Sequence, residues 1–216
     1  MPKLEIQVTA DNSATIYLPE LDEHYHSIKG ALTESLYIYR DCATLHRLAS
    51  EHNNPLRILE IGFGTGLNAA VTVPVSRPDT PIEYISLELY PIEPDVYNRL
   101  GYDVPFIDEV NKAAWDEPVA ITPTFTLHKR RADFLSSPLP TDIDVVYFDA
   151  FAPEKQPEMW SSDAMSRLVS AMSRGCVLTT YCAKGAIRRM FNSLGLTTER
   201  LPGPPGGKRE ILRATY

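Results

Sequence analysis

From residue 56 onward, short apolar runs alternate with segments long enough to hold a helix. The runs fall at 56–61, 83–89, 125–128, 144–148 and 176–181. Parallel strands need a crossover between them, and a strand covered on both faces reads as a near-continuous apolar run. The alternation therefore predicts an α/β fold with a mostly parallel sheet, its helices starting near Gly66, Pro94, Ser161 and Lys184. The last two runs, 196–201 and 209–215, are joined by glycines and prolines instead of a helix, which predicts an antiparallel edge hairpin. Before residue 56 the pattern differs. Two short strands, 4–9 and 14–18, flank the turn residues Asp11-Asn12-Ser13. An irregular stretch follows, then a helix over about 34–50 with Leu36, Tyr39, Ala43, Leu45 and Leu48 as its apolar stripe, ended by Asn53-Asn54-Pro55. This divides the chain into an N-terminal portion, 1–50, and an α/β portion, 51–216.

Composition narrows the class. Apolar residues make up 44% of the 216 and charged residues 23%, so the chain can build a core and is not disordered. No apolar run reaches the ~18 residues of a membrane helix. Met1-Pro2-Lys3-Leu4-Glu5 lacks the apolar core of a secretory signal, so a cytoplasmic location is expected, with no membrane partner. The net charge of −7 argues against a generic nucleic-acid coat but leaves room for local basic patches. Cys42, Cys176 and Cys182 form no CxxC pair, and an odd count speaks against a disulfide framework.

The segment Glu60-Ile61-Gly62-Phe63-Gly64-Thr65-Gly66 follows a predicted strand and opens a predicted helix. Open α/β sheets bind nucleotides at such strand ends, and glycine lets the backbone turn tightly against a ligand. The spacing is not that of a dinucleotide fingerprint, because the third glycine comes one residue early, and GxxxxGK[ST] is absent. An acid ahead of GxGxG resembles the first motif of class I S-adenosylmethionine-dependent methyltransferases. By that resemblance Glu60 sits near the methionine ammonium, Gly62, Gly64 and Gly66 line the cofactor, and Glu88 at the next strand end accepts from the ribose hydroxyls. Asp133, after the third strand, meets the adenine amine or simply caps a helix.

Asp149 ends the apolar strand 144–148, where the sulfonium methyl of such a cofactor is expected. A carboxylate there can orient an incoming amine or accept its proton. Around it the sequence resembles one family. The run 149–155 with Pro157-Glu158-Met159-Trp160 is similar to the methyltransferase domain of MnmC, a bifunctional enzyme making 5-methylaminomethyl-2-thiouridine at the tRNA wobble position. So are Gly62 to Asn68, Tyr84 to Glu88, Thr179-Thr180-Tyr181 with Arg188-Arg189, and Gly207-Lys208-Arg209-Glu210. Upstream, Tyr25-His26-Ser27, Gly30-Ala31 and Glu34-Ser35 match the family's N-terminal segment.

The resemblance implies a class I fold with a mixed seven-stranded sheet, an antiparallel terminal hairpin and a small N-terminal strand pair. It implies S-adenosyl-L-methionine as cofactor, with Asn68 and Tyr25 also at its site, and the aminomethyl group of a wobble uridine as methyl acceptor. It implies the tRNA anticodon loop as partner, with functional coupling to the enzymes that install the aminomethyl group. The chain resembles stand-alone versions without the flavin oxidase domain, so FAD is not expected, and methyl transfer needs no metal. His24 and His26 form an HxH pair without further ligands.

Anticodon loops are read by stacking and by phosphate contacts. Phe151, Tyr181, Tyr25 and Trp160 are the stacking candidates. Lys155, Arg188, Lys208 and Arg209 are candidate substrate contacts, and Lys129-Arg130-Arg131 forms a further basic cluster. Three alternatives stay open: a small-molecule N-methyltransferase, an aminopropyltransferase of the same fold, and a binding module that has lost its chemistry.

Overall fold

The structure, a computed structural model, describes residues 4–216. β1 (Glu5–Val8) and β2 (Ala14–Leu18) pair antiparallel, and the expected strand pair gains a third member, β3 (Glu23–His24), on β2. The intervening turn is held by Asp11, whose carboxylate accepts from Ser13 N at 3.1 Å and from Thr33 N at 2.8 Å. One side chain thus ties the small sheet to the start of the helix that follows.

That helix, α1, runs over 31–48 and changes pitch on the way. Ala31–Glu34 is α-helical, Ser35–Leu45 is π-helical, and His46–Leu48 returns to α. With i→i+5 hydrogen bonding, residues five apart come close to one face, whereas in an α-helix they diverge by about 140°. Glu34, Tyr39 and Thr44 therefore all turn toward the main sheet, and all are buried. The expected 3.6-residue stripe fails at Leu45, which is 41% exposed, because the wider turn rotates it to solvent. Arg47 anchors the end of α1. It is buried and pairs with the buried Asp144 at 3.4 Å, which also accepts from Asn53 Nδ2 at 3.0 Å and Arg57 N at 3.1 Å.

The main sheet contains β4 (Leu56–Ile61), β5 (Ile82–Glu88), β6 (Pro118–Thr122), β7 (Phe125–Arg131), β8 (Ile143–Phe148), β9 (Met172–Thr180), β10 (Thr197–Pro202) and β11 (Glu210–Thr215). Their order is β10-β11-β9-β8-β4-β5-β7-β6. The five central strands are parallel, and β10 with β11 forms the expected antiparallel hairpin on β9. The sheet has eight strands where seven were expected. β6 pairs only with β7, antiparallel, at the outer edge. It begins with proline and none of its residues is fully buried, the pattern of an edge strand and a weak signal in sequence. The crossovers are α2 (Leu67–Thr72), α3 (Pro94–Leu100), α4 (Ile107–Lys112), α5 (Ser162–Ser170) and α6 (Gly185–Ser193). α4 was not expected, since six residues carry too little periodicity.

Two groups raised as candidate substrate contacts are placed elsewhere. Lys129, Arg130 and Arg131 lie inside β7 and alternate in direction. Lys129 is buried, donates to the Asn111 carbonyl at 2.9 Å and lies 5.1 and 4.9 Å from the rings of Phe63 and Trp115. Arg130 donates to the Pro138 carbonyl at 3.3 Å, so the three do not form one phosphate patch. Trp160 is 5% exposed, and its indole N–H donates to the Phe151 carbonyl at 2.8 Å, which makes it core and not a stacking platform.

Candidate active site

The carboxyl ends of β4, β5, β7 and β8 open into a cavity of about 530 Å³. Its floor is the glycine loop. Gly62 has φ +93°, and a Cβ there would lie 3.0 Å from the Asp149 carbonyl oxygen. Gly64 has φ +51°, and its Cβ would meet the Tyr25 ring at 3.1 Å. Side chains at these positions would strain the backbone and press on Asp149 and Tyr25, two residues that line the cavity. Gly66, φ +78°, opens α2 against Asn111 and Phe63 and faces away from the cavity.

Glu88 lines the cavity at the end of β5. Its two oxygens accept from Gly64 N at 3.1 Å and Tyr90 N at 2.9 Å, which fixes the carboxylate at the rim with lone pairs to spare. Asp133 also lines the cavity, and the element it caps is a turn over residues 134–137, not a helix. Its oxygens accept from Leu135 N at 2.8 Å and Ser136 Oγ at 2.9 Å while it faces the cleft beside Phe134. Tyr25 and Phe151 close the roof, edge to face at 5.3 Å between ring centres.

Glu60 is placed differently from expectation. It is fully buried beneath the loop and does not line the cavity. Ser86 Oγ donates to one oxygen at 2.7 Å, and the other has no hydrogen-bond partner among the described residues. Burial pushes its carboxyl up to about 8, against the lowering effect of the Ser86 bond. The folded form favours the neutral acid, so this group stabilises at low pH and the gain is lost as pH rises toward 8. Glu60→Gln is therefore expected to raise the melting temperature at pH 8.5 and change it little at pH 5. The effect is on the order of a few kcal/mol, or roughly 5–10 °C for a chain of this size. Thermal scans of the ligand-free protein at the two pH values check it, and an equal effect at both would refute it.

Asp149 sits at the inner end of the cavity. Its oxygens accept from the Tyr39 hydroxyl at 2.5 Å and from Asn68 Nδ2 at 2.9 Å. Burial raises its carboxyl to about 6, while these bonds and the nearby Lys208 charge pull it down. Asn68 thus grips Asp149, not the cavity. Tyr39, expected only as part of an apolar stripe, is the other grip, because the π-helical turn aims it there. His26, noted in the sequence only as part of the segment 25–27 and of an HxH pair, also belongs to the site. It is buried in the cavity wall with Nε2 2.7 Å from the Thr65 hydroxyl and Nδ1 without a hydrogen-bond partner among the described residues. Burial lowers it to about 4, so the imidazole is neutral at pH 7.

Of the expected substrate contacts, Phe151 borders the cavity, and Tyr181 and Lys208 gather beyond Asp149. The Tyr181 hydroxyl donates to the Ala150 carbonyl at 2.8 Å, and the Lys208 ammonium lies 3.5 Å from the Tyr181 ring centre. Lys155, Arg188 and Arg209 do not line the cavity. Lys155 lies 3.8 Å from Asp22, Arg188 is half-buried on α6, and Arg209 is exposed. Among the described residues no group of three or more His, Cys, Asp or Glu could hold a metal, and no helix is long and apolar enough to cross a membrane.

A mixed sheet with five parallel central strands and an acid-rimmed, glycine-floored cleft at their carboxyl ends is the arrangement found in S-adenosylmethionine-dependent methyltransferase folds. Residues 124–216 match the profile of the S-adenosyl-L-methionine-dependent methyltransferase family. Over 97% of its length the chain is 27% identical to the tRNA 5-methylaminomethyl-2-thiouridine biosynthesis bifunctional protein MnmC of Pseudomonas entomophila. It covers 35% of that protein, so the chain spans about a third of the length of the curated relatives it matches, and the part it resembles is their methyltransferase part. The crystal structure of MnmC2 from Aquifex aeolicus superposes with a TM-score of 0.78 at 27% identity, covering all of this chain and 71% of that one. Spermidine synthase from Thermotoga maritima shares the fold, with a TM-score of 0.60 at 13% identity over all of this chain and 69% of that one.

Proposed function

We propose that the protein transfers a methyl group from S-adenosyl-L-methionine to the primary amine of 5-aminomethyluridine, thiolated or not, at the wobble position of tRNA. The observation that carries this reading is the position of Asp149. It stands between the cofactor-sized cavity and a second polar cluster of Glu34, Tyr181 and Lys208. The cavity fits the cofactor: Gly62 and Gly64 bring bare backbone to its floor at positive φ, and the carboxylates of Glu88 and Asp133 face the cleft. Gly62 and Gly64 would hold it by their backbone, with Glu88 and Asp133 at its two hydroxyl- and amine-bearing ends. Bound there, the cofactor supplies an electrophilic methyl group on a cationic sulfur.

The protein's part is to present an unprotonated amine in line with that methyl group. Asp149, held by Tyr39 and Asn68, orients the amine. Its carboxyl at about 6 is unprotonated at neutral pH yet far closer to it than an ordinary aspartate, so it can also take up the proton. Phe151 and Tyr25 offer ring faces and edges for an extruded base. The matched relatives, whose names speak of tRNA 5-methylaminomethyl-2-thiouridine, favour this acceptor over a small free amine. The anticodon loop is then the partner, the cytoplasm the location, and the enzymes that install the aminomethyl group act just upstream.

Methyl transfer from labelled S-adenosylmethionine into tRNA tests the proposal. Label is expected on tRNA carrying 5-aminomethyluridine and not on tRNA lacking it. Affinity for tRNA should fall steeply with salt, as phosphate contacts require. Cofactor binding without transfer to either tRNA would refute the acceptor and turn the search to small amines.

A further inference from the structure

Three groups beside Asp149 have no part in the cofactor cavity. Glu34 ends the first turns of α1 and is buried. One of its oxygens accepts from Ser27 N at a long 3.4 Å, and the other accepts no hydrogen bond among the described residues. Tyr181 follows β9, its ring fixed by the hydroxyl bond to Ala150. Lys208 comes from the glycine- and proline-rich loop between β10 and β11, exposed as a residue, with its ammonium 3.5 Å from the Tyr181 ring centre. Burial lowers the Lys208 ammonium below its usual range, and the charges of Glu34 and Asp149 oppose that shift.

An ammonium gives up its water only where an aromatic face or carboxylates replace it. Lys208 therefore reports what this place accepts, namely a primary ammonium on an alkyl stem. The acceptor of the proposed reaction carries the same group on a single carbon. We propose that the Tyr181 face, Glu34 and Asp149 form the recognition seat for the acceptor's ammonium, with Glu34 the specificity-determining residue and Lys208 a placeholder that the acceptor displaces. This rests on the acceptor being a primary amine.

Two further observations support it. A buried carboxylate with one long backbone contact calls for a cation. Burial and the Asp149 charge raise Glu34 to about 7, as expected of an acid whose counterion is loosely held. The exchange needs only a side-chain rotation. The loop backbone is closed on itself, since a Cβ on Gly203 would lie 1.7 Å from the Lys208 carbonyl oxygen. A hydroxymethyl group in the seat would leave both carboxylates uncompensated, which is the basis of discrimination.

The test is equilibrium binding of the nucleosides 5-aminomethyluridine and 5-hydroxymethyluridine, with S-adenosylhomocysteine present, to wild type, Glu34→Gln and Lys208→Met. Wild type is expected to prefer the amine by at least about tenfold, and Glu34→Gln to lose most of that preference. Lys208→Met should tighten the amine alone, by about three- to tenfold. An unchanged preference in Glu34→Gln, a loss of both ligands in Lys208→Met, or no amine preference in wild type would overturn the seat. If Glu34→Gln fails to melt cooperatively, Tyr181→Leu provides the same comparison. A wild type that prefers the amine but methylates no aminomethyl tRNA would refute the proposed function and leave the seat standing.

Discussion

Asp149→Asn is expected to lower kcat for methyl transfer by about 10²–10⁴-fold while leaving S-adenosylmethionine affinity essentially unchanged. The amide keeps the size of the carboxylate, so the Gly62 contact and the strand end survive. What it loses is the charge that faces the amine, together with the ability to take its proton. The grip changes too, because an asparagine cannot accept from both the Tyr39 hydroxyl and Asn68 Nδ2 with carboxylate strength. The pH dependence follows the same group. The reactive form is the carboxylate, so kcat/KM of the wild type should rise with pH through about 6 and then level off, until other groups titrate. A stopped-time methyl-transfer assay with calorimetric cofactor binding checks both parts. A variant that loses cofactor affinity in step with rate would make Asp149 a structural residue.

The second large effect concerns the cradle. Gly62→Ala is expected to weaken S-adenosylmethionine binding by at least about tenfold and to depress activity beyond that. An L-residue at φ +93° is strained, and its Cβ would press the Asp149 carbonyl at 3.0 Å, so the damage spreads from the cofactor floor to the orienting acid. Gly101→Ala is the control. It has positive φ at +60°, but nothing lies within 4 Å of its Cβ. It should lose some stability and keep cofactor affinity. Equal affinity in wild type and Gly62→Ala would show that the loop does not hold the cofactor.

The alternating strands and helices, the terminal hairpin, and the acids at the ends of β5 and β8 are legible in the residues alone. Those features are local: apolar runs, glycine at turns, and the order in which they come. Tertiary structure decided the rest. The edge strand β6 exists only through its partner β7, and α4 only through its packing. Lys129 reads as a surface cation until its ring neighbours Phe63 and Trp115 appear. Above all, Glu34 and Tyr39 are five residues apart, a spacing that an α-helical reading sends to different faces. The π-helical stretch of α1 turns both toward Asp149, and that pitch is set by packing on the sheet. Glu60 shows the converse, since the motif named the right loop but burial beneath it put the acid out of the cavity's reach. Chain order carries the scaffold because strand and helix periods are short-range. The acceptor side is assembled by α1, β8, β9 and the last hairpin, brought together across more than 170 residues, and no local pattern encodes their meeting.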